Sequence, residues 1–113
     1  MCLTLVELPE YVRDADRLLD EQSQEELKDF LARNHKAGRI MQGTGGIRKL
    51  RWARPGAGKS GGVRVIYYFY NEAMPLFLLN IFGKNGKDNL SKAERNKLAK
   101  LVSILVKTYG AKP

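Results

Sequence analysis

Two apolar runs near the middle of the chain, Val63–Tyr70 and Leu76–Phe82, constrain its fold more than any other feature. The first is dense in β-branched and aromatic residues, which suit a pleated backbone. The second is almost wholly apolar, as expected of a strand at the centre of a sheet. Asn71–Pro75 supplies the turn between them. The longest unbroken apolar stretch, Val65–Tyr70, is far below the ~20 residues of a membrane helix. Met1–Pro9 has no basic stretch and no long apolar run, so no signal peptide is expected.

The remaining elements follow from periodicity and caps. Thr4–Leu8 reads as a short first strand. Pro9 suits a first helical turn, and Tyr11, Val12, Ala15, Leu18 and Leu19 recur at helical spacing. Ser23 with Glu26 matches a capping box, opening a helix with Leu27, Phe30 and Leu31 on one face and Gly38 just past its end. Two helices over roughly 9–20 and 23–36 result. Ile47–Ala53 alternates, placing Arg48, Leu50 and Trp52 on one face and Lys49 and Arg51 on the other. Arg54–Gly62 holds Pro, Gly and Lys and reads as a loop, as does the basic segment Gly83–Lys87. Ser91 and Glu94 form a second capping box before a helix burying Leu98, Leu101, Val102 and Leu105. The order β-α-α-β-β-β-α describes a single α+β domain spanning residues 1–113. Its four-stranded, mostly antiparallel sheet carries the helices on one face.

Charge is distributed unevenly along the chain. Residues 1–29 hold nine acidic and three basic residues, for −6, while residues 30–113 hold 17 basic and three acidic ones, for +14. Such asymmetry points to a polyanion-facing surface in the later part. Cys2 is the only cysteine and His35 the only histidine. An internal disulfide, a cysteine zinc cluster and a paired-histidine ribonuclease mechanism are thereby excluded. One thiol also fits a reducing cytoplasm. Carboxylates are sparse after residue 29, so two-metal nuclease chemistry lacks ligands there. No metal or cofactor is expected.

Gly58-Lys59-Ser60 ends like a phosphate-binding loop. The position five before Gly58 is Ala53, however, and the segment leads into a strand rather than a helix. Gly43-Thr44-Gly45-Gly46 lacks a surrounding βαβ unit and reads as a turn. His35, at a helix end, is assigned to terminal carbonyls rather than to catalysis.

Cations remain as the means of chemistry. Lys49, Arg51, Arg54, Lys59, Arg64, Lys84 and Lys87 come from two strands and two loops, and alternation places Arg64 with Ile66, Tyr68 and Tyr70. Lysine offers phosphate a point charge and arginine a bidentate fork. Phe82 and the tyrosines near it are candidate stacking surfaces for bases, although most suit a core.

Three segments carry a family resemblance: Gln42–Arg51, Gly58–Phe69 and Leu78–Asn85. In spacing and order over roughly residues 40–105 the chain resembles the RelE/ParE superfamily of toxins, most of all its HigB-like branch. The resemblance implies a RelE-like fold and ribosome-dependent, metal-independent cleavage of mRNA in the ribosomal A site. It also implies cytoplasmic action and neutralisation by a cognate helix-turn-helix, HigA-like antitoxin, with operator DNA bound only through the antitoxin complex.

By the same resemblance the catalytic set is Arg64, Lys84, Arg51 and Lys49. Arg64 would stabilise the phosphorane, with Lys84 as electrostatic group or acid. Lys49 and Arg51 would hold the RNA backbone, or one of them would act as base. Arg48, Arg54, Lys59, Lys87 and Phe82 are the expected RNA or ribosome contacts. Where relatives are expected to carry Tyr before the Gly-Lys-Asn motif, this chain has Phe82, so no hydroxyl is available there. Two other functions share these features: a ParE-like toxin that inhibits DNA gyrase without catalysis, and an RNA-binding accessory protein.

Overall fold

In the computed structural model the described residues are 3–53, 62–83 and 90–110. The strands are β1 (Leu5–Glu7), β2 (Arg39–Ile40), β3 (Ile47–Trp52), β4 (Val63–Tyr68) and β5 (Leu76–Gly83). The helices are α1 (Pro9–Leu18), α2 (Glu21–Arg33) and α3 (Lys92–Leu105), the last running on into a π-helical turn, Val106–Gly110. The strands form one sheet in the order β1-β5-β4-β3-β2. All neighbours are antiparallel except β1, which runs parallel to β5. The two apolar runs therefore become interior strands, as their composition requires.

Two expectations are corrected. The sheet has five strands, because Arg39–Ile40 pairs with Arg48 and Lys49 as an edge strand too short to show a period. The helices also cover both faces. One core cluster joins Tyr11, Ala15, Leu27 and Leu31 of the α1–α2 layer to Val63, Val65, Tyr67, Leu76 and Leu78. The other joins Val102 of α3 to Ile47, Ile66, Tyr68, Phe77, Leu79 and Phe82. Strands apolar at nearly every position need cover on two sides.

A β-bulge sets which face each β5 residue meets. Ile66 pairs with Asn80 but Tyr67 with Leu78, leaving Leu79 as the extra residue. Strict alternation from Leu76 would turn Phe82 toward α1 and α2. The extra residue returns it to the α3 face, in the cluster with Ile66 and Tyr68. Asn80, opposite Ile66, donates from its Nδ2 to Glu10 Oε2 at 3.4 Å.

The caps differ in part from expectation. Asp20, not Ser23, caps α2: its carboxylate accepts from the Ser23 N–H at 2.7 Å. Ser23 thus lies inside the helix, where its Oγ accepts from Trp52 Nε1 at 3.3 Å and ties α2 to β3. The capping box of α3 is present as expected, with the Glu94 N–H donating to Ser91 Oγ and the Ser91 N–H to Glu94 Oε1. Helix α2 ends at Arg33, so Gly38 is not its terminator. A Cβ there would come within 2.8 Å of Tyr67 Cε1 and 3.0 Å of the Lys49 carbonyl. Close approach is what demands glycine at this position.

Candidate nucleic-acid interface

The antiparallel register builds a row of side chains on the α3 face. Arg51 of β3 stands opposite Arg64 of β4, and Arg64 opposite Phe82 of β5. With strands ~4.8 Å apart, this row spans about 10 Å across the sheet. In the next row Lys49 stands opposite Ile66, two residues and about 7 Å along β3 from Arg51. Directly opposed residues share a face, so Lys49, Arg51, Arg64 and Phe82 lie together: alternation along β3 aligns Lys49 with Arg51, and the bulge in β5 brings Phe82 to them. Arg51 is exposed, Lys49 and Arg64 are half-buried, and Phe82 is buried. The cations therefore rise from an apolar floor toward solvent at the end of the sheet where β3 stops and β4 starts. Such a patch can hold phosphate oxygens between guanidinium and ammonium groups, with an aromatic ring at its inner edge.

Arg48 belongs to the other face. Its Nη1 donates to the carbonyls of Gly38 at 2.7 Å and Lys36 at 3.2 Å, joining β3 to the segment after α2. Leu50 and Trp52 also pack on that side. Arg54, Lys59, Lys84 and Lys87 lie outside the described residues.

The tyrosines of β4 do not replace the hydroxyl missing at Phe82. Tyr67 Oη accepts from the Gly38 N–H at 2.8 Å and donates to the His35 carbonyl at 2.9 Å, on the α1–α2 side. Burial raises its pKa, against the hydrogen bond from Gly38 and the nearby charge of Arg48. Tyr68 shares the α3 face but sits four residues, about 13 Å, along β4 from Arg64. Burial and neighbouring Tyr70 push its pKa up as well, the wrong direction for a general base. His35 stacks on Phe69 with ring centres 4.0 Å apart, away from the cation row.

A family model for the RelE toxin of the RelE/RelB toxin-antitoxin system matches residues 13–112. The chain belongs to the RelE toxin family. Among solved structures it is similar to a free-state mutant of E. coli toxin RelE in which two arginines are changed to alanine. The TM-score is 0.52 at 19% identity, covering 96% of this chain and 98% of that one. At this identity the likeness speaks for the fold. Membership makes the chain a toxin of a toxin-antitoxin system, with an antitoxin as partner. No helix of the described residues is long and apolar enough to cross a membrane.

Sequence reasoning missed the bulge that aims Phe82 in this RelE-family chain. Its signal was Asn80, the one polar residue in Leu76–Phe82. A polar side chain inside an otherwise apolar strand marks a place where regular two-sided burial is interrupted.

Proposed function

We propose that this chain is a ribosome-dependent, metal-independent endoribonuclease that cleaves mRNA in the ribosomal A site and is neutralised by a helix-turn-helix antitoxin of the HigA-like kind. The observation carrying this reading is the row Arg51–Arg64–Phe82, flanked by Lys49. Cleavage requires the ribose 2′-OH to attack the adjacent phosphate and expel the 5′-oxygen. Charge builds on the phosphoryl oxygens in that transition state, and groups fixed in advance stabilise it most. Arg64, half-buried between Arg51 and Phe82, is the phosphorane-stabilising group. Arg51 and Lys49 hold the backbone, and Lys84 from the following segment supplies charge or the proton for the leaving oxygen. Phe82 carries no proton, so it contributes only apolar or stacking contact. The 2′-OH proton then goes to a lysine of the cluster, Lys49 standing two residues from Arg51 on the same face. Operator DNA is contacted only through the antitoxin.

Primer extension on cellular mRNA after brief induction tests this reading. New 5′ ends inside translated codons are the expected outcome. Intact mRNA in growth-arrested cells would sink the ribonuclease assignment.

A further inference from the structure

The outward face of α3 and its π-helical continuation differs from the rest of the helical surface. Lys97, Lys100, Ile104 and Lys107 follow at spacings of three and four, forming one stripe. They face solvent, while Leu98, Leu101, Val102 and Leu105 pack toward the sheet. All four are exposed, and Ile104 keeps 60% of its surface accessible, more than any other large hydrophobic residue described. No exposed residue of 92–110 is acidic. None of these lysines forms an ion pair among the described residues, whereas Arg13, Arg17, Lys28 and Arg33 of the α1–α2 layer each meet a carboxylate. Lys97 and Lys100 form a like-charged i,i+3 pair, which works against the helix.

An apolar side chain ringed by charges of one sign has the anatomy of a protein docking patch, with a desolvated anchor inside a polar rim. Isoleucine offers a nucleic-acid base no ring to stack on, so the pattern favours protein over RNA. We propose that this face docks an acidic amphipathic helix of the antitoxin, with Ile104 as anchor and Lys97, Lys100 and Lys107 as the complementary rim. The inference rests on the toxin reading above. Since α3 covers the sheet face that bears Lys49, Arg51 and Arg64, an acidic segment bound there would also offset the charge that draws RNA.

The test uses the full-length chain and the protein encoded by the adjoining reading frame, with binding followed by calorimetry. Ile104→Asp, and separately Lys97→Glu/Lys100→Glu/Lys107→Glu, should each weaken binding at least tenfold, and Ile104→Ala by about fivefold. Melting temperatures should stay at the wild-type value, because every substituted side chain is exposed. Ile104→Asp should still cleave mRNA and should resist neutralisation in cells. Unchanged affinity in both variants overturns the proposal. So does failure of the adjoining protein to bind the wild-type chain, a loss confined to binding of an RNA oligonucleotide, or a change only in self-association. If the variants lose binding while the wild-type chain leaves mRNA intact, the docking face stands and the ribonuclease reading falls.

Discussion

Arg51 and Arg64 face each other across the β3–β4 ladder, two guanidinium groups in directly opposed positions. Like charges placed so work against the sheet. The arrangement is suited to an anion that both can share. Replacing Arg64 with Ala should lower the single-turnover rate of cleavage on programmed ribosomes by about 10²–10³-fold, the usual loss for one preorganised oxyanion donor. Arg64→Lys should restore only part of it, since an ammonium lacks the planar fork that meets two oxygens side by side. Arg51→Ala should instead weaken RNA binding and reduce the salt slope of affinity by about one. Wild-type rates for both alanine variants would dismiss this row as the site.

Tyr67 and Gly38 form a second coupled pair. The hydroxyl serves the Gly38 N–H and the His35 carbonyl, so Tyr67→Phe leaves two backbone groups without that partner and should cost about 2–3 kcal/mol in denaturant unfolding. Gly38→Ala drives a methyl against the same ring and the Lys49 carbonyl, at about 1–3 kcal/mol. The double variant should cost less than the two together, because part of the clash is with the hydroxyl that Phe lacks. Strict additivity would refute the coupling.

Among the described residues, the buried hydroxyl of Tyr11 has no hydrogen-bond partner. Burial, reinforced by Glu7, raises its pKa far above the ordinary tyrosine value of 10.0. The unfolded chain therefore ionises first. The stability held by the neutral phenol is complete below pH 10 and falls as pH rises beyond it. Melting temperature should drop on going from pH 9 to pH 11, and less steeply in Tyr11→Phe. At neutral pH that variant should be at least as stable as the parent, since no hydrogen bond is lost. A clear loss of stability at pH 7 would show that the hydroxyl has a partner.

The cap of α2 offers a sharp discrimination between two neighbours. Asp20→Ala should cost about 1 kcal/mol, as removal of an N-cap does. Ser23→Ala should act on β3 instead, by freeing Trp52 Nε1, and should alter tryptophan fluorescence. Equal loss of helix signal from both would contradict this assignment of the cap.

The fold was legible where a single periodicity governed a segment. The apolar runs around Val65 and Leu78 and the capping box at Ser91 are local signals, and the structure follows them. The alternation of Lys49 and Arg51 against Leu50 and Trp52 likewise placed two cations on one face. What escaped depends on contacts distant in sequence. Asp20 caps α2 partly because Ser23 is taken by Trp52, 29 residues away. Gly38 resembles a helix terminator until Tyr67 is seen beside it. Neither the two-residue strand at Arg39 nor the bulge at Leu79 has enough residues to establish a pattern. The two-sided cover of the sheet was written in the all-apolar strands, yet assigning α3 its own face required the register.

The segregation of charge between layers has a kinetic consequence. Acidic residues crowd α1 and α2, while the sheet face bearing Lys49, Arg51 and Arg64 and the lysines of α3 lie on the opposite side. The molecule is thus a strong electric dipole directed across its sheet. Near a phosphate-rich surface it experiences a torque as well as an attraction, and both act within about 10 Å at 0.1 M salt. Encounters should therefore be oriented before contact, with unproductive collisions through the helix hairpin repelled.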